Sequence, residues 1–282
     1  AATFGASGGA TLNINGNIAT ANTTTFMAGA SSTVNLNSVL GNGGAAGVLN
    51  KIGSGDLNVT VNQPAITGAI NVNQGTVNVT GSGVTLGSTG LISINASGIL
   101  EIDDSAGAAS THLGNRAVTI RGGEFIYTGN AANSAEVSTG ALTFARMGGI
   151  LTSNQTGAGT VSLTFASLAL GTDATANFKG VNLGSATNKI LFTTAPPLTP
   201  ATTGILARAT VNGADFATYG ATNGIAAFSA YQNSNNPNTA AATDTMNLTA
   251  NAALNANRTL NAIKFNGGTA ITLGGAGFNQ LI

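Results

Sequence analysis

Between residues 49 and 102, apolar and polar residues alternate in short bursts, and each burst is closed by a glycine. Ile70-Asn71-Val72-Asn73 followed by Gly75-Thr76-Val77-Asn78-Val79 is echoed by Ile92-Ser93-Ile94-Asn95 followed by Gly98-Ile99-Leu100-Glu101-Ile102. Ile70 and Ile92 are 22 residues apart, and Val77 and Leu100 are 23 apart. Period-two alternation over such short lengths predicts strands with one face buried. Recurrence of strand-sized pieces at a spacing above twenty residues predicts a solenoid.

The echo continues through Val118-Thr119-Ile120 with Glu124-Phe125-Ile126-Tyr127, and through Leu142-Thr143-Phe144 with Ile150-Leu151. From Ile92 to Val118 to Leu142 the steps are 26 and 24. Strands that stay stacked while loops vary in length give such a drift. The pattern therefore predicts an all-β parallel β-helix, one rung per 22–26 residues. Val, Ile, Leu and Phe fill its interior, and Asn, Thr and Ser face water.

The alternation also predicts strands within residues 8–16 and 31–37, with a polar connector over 19–25 and a glycine-rich turn over 41–47. Asp103 to Gly114 reads as a loop, and 160–170 as a strand region deep in the core. Residues 195–200 hold three of the five prolines, which resist ladder pairing. Asn212-Gly213 and Asn223-Gly224 lie between apolar runs, a hairpin signal. The rung pattern returns from Met246, and residues 277–282 read like the middle of a strand. The expectation is one elongated domain over 1–282, decorated at about 193–245. At ~4.8 Å per rung it is a rod roughly 55–60 Å long.

Composition narrows the function classes. The chain is 43% hydrophobic but only 6% charged, with nine basic and nine acidic residues. No cluster of Lys and Arg offers a footprint for nucleic acid or an anionic membrane. Cysteine is absent, which excludes disulfides and thiolate metal sites. No apolar run is long enough for a membrane helix. No basic, then apolar, leader is visible at residue 1, so a signal peptide is absent, already removed, or outside this fragment.

One stretch carries a resemblance. Leu49-Asn50-Lys51-Ile52-Gly53-Ser54-Gly55-Asp56-Leu57-Asn58-Val59, then Ile66-Thr67-Gly68-Ala69-Ile70, resembles the autotransporter-associated β-strand repeats of large bacterial surface proteins. Ile66 stands where an aromatic is common. Val211-Asn212-Gly213-Ala214-Asp215-Phe216-Ala217-Thr218-Tyr219, with Asn223-Gly224-Ile225 and Asn257-Arg258-Thr259-Leu260, looks like a later segment of the same family. The resemblance covers most of the chain beyond residue 45. It implies a right-handed parallel β-helix, exported and acting as stalk, adhesin or matrix component, with no catalytic residues to carry over.

The candidate chemistry is sparse. His112, the only histidine, sits in a polar loop beside Ser110 and Thr111 and reads as a solvated residue rather than a catalyst. The one charge cluster is Glu101, Asp103 and Asp104, with Arg116, Arg121 and Glu124 close in sequence. Glu101 and Asp103 share the outer face of a strand. The plainest reading is a surface ion-pair ladder. Stacked carboxylates at Glu101, Asp103 and Asp104 would otherwise suit Ca²⁺, which takes six to eight oxygens. A third reading pairs Glu101, Asp103 and Arg121 for polysaccharide cleavage. Outward Asn71, Asn73, Asn78, Ser93 and Asn95 suggest ladders across rungs. Gly41-Asn42-Gly43-Gly44 lacks the Lys-Ser/Thr of a phosphate loop.

The expected function is a secreted or cell-surface structural protein, not an enzyme, with no cofactor. No polar cap is visible at either end, so its expected partner is itself, head to tail through open β-helix ends, as the subunit or segment of a fibre. An adhesin or carbohydrate-binding module, using a face around Tyr219 and Tyr231 to bind surface glycans, is the alternative. A polysaccharide lyase or hydrolase is the second.

Overall fold

The structure, a computed structural model, describes residues 1–19, 23–41, 47–107, 112–232, 234–255, 257–266 and 271–273. The glycine-rich turn at 42–46, Ser110, Thr111 and the segment 277–282 lie outside the described residues.

The chain is a β-solenoid of about seven turns whose strands stack in parallel. The first face is a parallel sheet of eight strands: Ala2–Ala6, Thr23–Ala28, Val48–Ile52, Ile70–Val72, Ile92–Asn95, Val118–Arg121, Leu142–Phe144 and Leu168–Leu170. The second face stacks Thr11–Ile14, Thr33–Leu36, Asp56–Val59, Gly75–Thr80, Gly98–Asp103, Glu124–Thr128, Met147–Asn154, Ala174–Lys179 and Ala209–Val211. A third face begins irregularly. Ile18–Ala19 pairs with Leu40–Gly41, Gln63 and Leu86 then stack by single backbone bonds, and regular strands follow at Ser134–Val137, Val161–Phe165 and Asn188–Phe192.

Register follows the repeat. Ile70 pairs with Ile92, Ile92 with Val118, and Val118 with Leu142 on the first face, while Val77 pairs with Leu100 on the second. A slip of one residue would turn every inward side chain outward, so the apolar column fixes the register. Loop length absorbs the drift: the step is 20 from Asn58 to Asn78 but 33 from Ala176 to Ala209. The polar stretch expected at 19–25 ends earlier than its composition suggests. Thr23–Ala28 is a strand, because Thr24, Phe26 and Ala28 alternate inward and are buried.

Five successive rungs turn onto the second face at a glycine, giving the column Gly55, Gly75, Gly98, Gly123 and Gly149. At Gly75 the reason is plain. Its φ is +69°, and a Cβ there would lie 2.3 Å from the Gly55 carbonyl oxygen. Neighbouring backbones approach too closely for any side chain.

Two findings depart from the expected rod. Eight strands at ~4.8 Å span roughly 34 Å rather than 55–60 Å, because the columns stop near residue 211. The far end is also not open on every face. Ala209–Val211 pairs antiparallel with Asp215–Gly220, which pairs antiparallel with Gly224–Ala227, and that strand joins Asn188–Phe192 at Ile190. The hairpins at Asn212-Gly213 and Asn223-Gly224 thus sew the last strands of the second and third faces to each other. Beyond them Thr245–Leu248 pairs with Ala262–Phe265, and Ala252–Leu254 with Ile271–Leu273, in two small parallel sheets.

Candidate functional site

The outer surface of the second face carries the densest polar pattern. Asn35, Asn58 and Asn78 form a ladder over Asn13, each Nδ2 donating to the Oδ1 of the rung before at 2.7, 2.8 and 3.0 Å. The next residue in that column is Glu101. Beside it runs a second column, Thr60, Thr80 and Asp103. Between the columns lies a groove of about 330 Å³. Shorter ladders join Asn71 to Asn50 and Asn95 to Asn73 on the first face, at 2.8 Å each.

Glu101 and Asp103 both face this groove, but Asp104 does not. Alternation carries Leu100, Ile102 and Asp104 inward, and Asp104 is fully buried. The trio proposed for Ca²⁺ is therefore split between two sides of the wall. Among the described residues no group of three His, Cys, Asp or Glu side chains is placed to hold a metal. The Glu101 carboxyl is pushed up, first by desolvation and then by the charges of Asp103, Glu124 and Asp56. No ion-pair ladder forms here. The two ion pairs among the described residues are His112–Asp104 and Lys264–Asp215. Glu124 instead accepts from the Thr152 hydroxyl at 2.6 Å. Arg121 is exposed at the end of a first-face strand and does not line the groove, so the arrangement needed for polysaccharide cleavage is not assembled.

Asp104 belongs to a second polar group, inside the solenoid. His112, read from sequence as solvated, is fully buried. Its Nδ1 meets the Val84 carbonyl oxygen at 2.6 Å and its Nε2 meets Asp104 Oδ1 at 2.7 Å. A carbonyl only accepts, so Nδ1 carries a proton, and a carboxylate at Nε2 calls for a second. Tyr127 donates its hydroxyl to Asp104 Oδ2 at 2.9 Å. Glu136 accepts from the backbone N–H groups of His112 and Leu113 at 3.1 and 2.9 Å. Desolvation works against the charged imidazole, but the Asp104 hydrogen bond and the charges of Glu136 and Asp104 outweigh it and raise His112. Burial pushes the Glu136 carboxyl up to about 7. Tyr127 is raised as well, by burial above all. The group ties Asp104, His112 and Leu113 to the rung before through Val84 and to the rung after through Tyr127 and Glu136, and Asp104, His112 and Glu136 are fully buried.

Two buried cations cap backbone instead of pairing with acids. Lys51 Nζ donates to the carbonyls of Ile52, Gly53 and Gln74 at 3.1, 2.6 and 3.0 Å. Burial pushes its ammonium down to about 8, with Asp56 opposing. The lysine of the Lys-Ile-Gly-Ser-Gly motif thus closes its own turn and that of the next rung. Arg116 donates to Gly68 O at 2.8 Å and to Ile66 O, two rungs away, and desolvation lowers it to about 10. Both lie at inward parity, Lys51 two residues after Leu49, and parity was the signal that could have found them.

The tyrosines offered for glycan binding are committed to the fold. Tyr219 donates to the Phe192 carbonyl at 2.9 Å, and its ring packs on Phe192 with centroids 5.8 Å apart. Tyr231 donates to Asp215 at 3.1 Å and packs edge-on to Phe228 at 5.0 Å. A larger recess of about 770 Å³ lies outside the last second-face strands, lined by Ile150, Thr175, Arg208 and Phe216 and roofed by Thr199 and Asn261. Its lining is mainly apolar and Arg208 is spent on the carbonyls of Leu170, Gly171 and Thr172.

Comparison with known proteins finds no matching family, no matching curated protein and no matching solved structure. No helix among the described residues is long and apolar enough to cross a membrane.

Proposed function

We propose that this chain is a structural β-solenoid of the cell surface or extracellular space, a segment of a stalk or fibre that lengthens by addition of rungs. One observation carries the reading. Phe4, Leu12 and Ile18 face the core but are only partly buried, whereas Phe26, Val34 and Leu40, one rung on, are 0%, 0% and 4% exposed. The first rung is an open cross-section of core. Its edge strands lack the usual protection as well: residues 1–50 contain no proline and no charged side chain. The outward Asn13, Asn15 and Asn17 begin ladders that a further rung of the same chemistry would extend. At the other end the hairpins close two of the three faces, and the first-face edge strand Leu168–Leu170 remains as the surface on which a further rung would stack.

For the 282-residue chain the added rung comes from a second copy. Sedimentation velocity across a concentration series tests this, with Thr3→Lys/Thr11→Lys as the comparison. Both threonines are exposed on edge strands, so added charge repels a partner without disturbing the core. The expected result is concentration-dependent association that the double variant abolishes while its circular dichroism stays unchanged. A wild-type chain that remains monomeric at its highest soluble concentration would overturn the reading.

A further inference from the structure

The recess outside the last second-face strands has a floor built from two outward columns. Gly148, Thr175 and Arg208 form one, with the Arg208 carbonyl accepting from the Ala176 N–H at 3.0 Å, and Ile150, Asn177 and Thr210 form the other. Its volume of about 770 Å³ falls in the range of small-molecule sites, roughly 300–1,000 Å³. Gly148 is the telling residue of this floor. A glycine inside a strand weakens it, and marks a bulge, a bend or a close approach to the backbone. At the neighbouring Gly149 the reason is internal, since a Cβ would press on Ile120 and Phe144 at 2.7 Å. Gly148 has no such reason. It faces outward, its φ lies outside the left-handed region, and a Cβ there would meet only the Thr175 hydroxyl, at 3.3 Å. What glycine provides at 148 is a bare floor to the recess.

The polar groups around that floor have donors to spare. Asn177 Oδ1 accepts from the Thr210 hydroxyl at 3.2 Å and from the Gly213 N–H at 2.9 Å. These bonds fix the amide and leave its Nδ2 without an acceptor among the described residues. Arg208 brings a charge that nothing neutralises. It is held at φ +61°, a conformation that costs a residue with a Cβ and that recurs where sites are built. The carbonyls of Leu170, Gly171, Thr172 and Ala174 occupy three of its five N–H groups and none of its charge. Neither ion pair of the described residues includes it, and no Asp or Glu lines the recess.

We propose that this recess binds a small organic anion, an apolar body bearing one carboxylate, with the body over Gly148, Ile150 and Phe216 and the carboxylate toward Arg208. The mainly apolar lining takes the body, and the bare strand at Gly148 lets it lie close to the sheet. An unpaired cation beside an unpaired amide donor selects a head group that accepts hydrogen bonds and carries negative charge, and charge-assisted bonds of this kind are the strong ones. The proposal does not depend on the fibre reading.

Calorimetric titration of the 282-residue chain tests it, with 2-naphthoate and octanoate as anionic probes and 2-naphthalenemethanol as the uncharged counterpart. One anion per chain is expected, with naphthoate bound about tenfold more tightly than the alcohol. Gly148→Leu fills the floor and should abolish binding of both. Its melting temperature should not fall, because the site is exposed, its φ is open to any residue, and replacing glycine restricts the unfolded chain; the loss is then not one of folding. Arg208→Gln should keep the alcohol bound and erase the preference for the carboxylate, whereas an arginine that only caps carbonyls would leave that preference intact. Absence of heat with both anions at millimolar concentration would overturn the proposal. So would an alcohol bound as tightly as naphthoate, or naphthoate binding that is unchanged in Gly148→Leu. Self-association of the probe-free chain that Gly148→Leu abolishes would also overturn it, and would give the recess to a second copy.

Discussion

His112 and Glu136 make the buried polar group sensitive to pH in one direction. Glu136 is raised to about 7 from an ordinary 4.5. Between those values the folded chain holds a proton that the unfolded chain has released, so stability falls as pH rises through that window. At 1.36 kcal/mol per unit the loss is roughly 3 kcal/mol. His112 is raised above 6.5, so its contribution is full below 6.5 and disappears as pH climbs through the folded value. The two titrate as a coupled pair, and their effects add in sign. Melting temperature should therefore decline from pH 5 to pH 8, and Glu136→Gln should flatten the decline. A wild-type profile that rises over this range would refute the assignment. Lys51 gives a second prediction. Lys51→Met keeps the apolar stem but strands three carbonyls, and should cost about 3 kcal/mol in urea unfolding; a cost below ~1 kcal/mol would mean that water replaces the ammonium. These inward polar residues were legible only through parity. Asp104 follows Ile102, Lys51 follows Leu49, and Tyr127 follows Phe125, yet polarity alone argues for the surface at each position. Sequence proximity grouped Asp104 with Glu101 and Asp103, and the pleat of the strand separates them.

At the scale of elements, the strands were readable where alternation was strong, and even their pairing could be taken from the echo. Ile70, Ile92, Val118 and Leu142 stand in one column because only like residues at like parity fill a narrow core without voids. Thr23–Ala28 escaped because threonine at an inward position reads as loop, although Thr24 is buried. The closing hairpins were visible as Asn-Gly signals, but what they close was not. Sealing two faces depends on where the solenoid ends, and no local pattern records that. The turn itself is well defined. Ala214 N–H donates to the Val211 carbonyl at 3.1 Å, and Asn212 and Gly213 both take positive φ, 53° and 64°. This is the primed turn that matches strand twist. The Asn212 side chain also accepts from the Gly180 N–H at 3.0 Å and donates to the Gly180 carbonyl at 3.3 Å. Asn212→Val should lose both bonds and carry a β-branched residue at positive φ, about 3–4 kcal/mol together. Asn212→Gly should lose only the two bonds, about 2 kcal/mol. Equal losses in the two variants would show that backbone strain has no part in it.

Across the whole molecule, cohesion is uneven. One hydrophobic core runs without a break from Ala6 to Ile225, whereas Met246, Leu248, Ala252 and Leu260 form a separate small cluster. Burying an aliphatic side chain contributes about 1.5–3 kcal/mol, and ordering each backbone residue costs ~1–2 kcal/mol. Four such side chains cannot by themselves hold some twenty residues in place. The segment depends on its attachments to the hairpin region. Lys264 pairs with Asp215, and its ammonium lies 5.6 Å from the Tyr231 ring centroid. Asn261 Nδ2 donates to the Thr199 carbonyl at 2.8 Å, and the Gln232 N–H to the Thr245 carbonyl at 2.8 Å. Local opening should therefore begin here and leave the rungs intact. In hydrogen exchange, amides of 245–248 and 262–265 should exchange well before those of 92–95 and 118–121. Lys264→Ala removes a half-buried pair of about 1 kcal/mol, so it should speed exchange in 245–265 about fivefold and leave the rung amides unchanged. Uniform protection from residue 92 to residue 265, or acceleration that spreads into the rungs, would mean that the small cluster and the solenoid unfold as one unit.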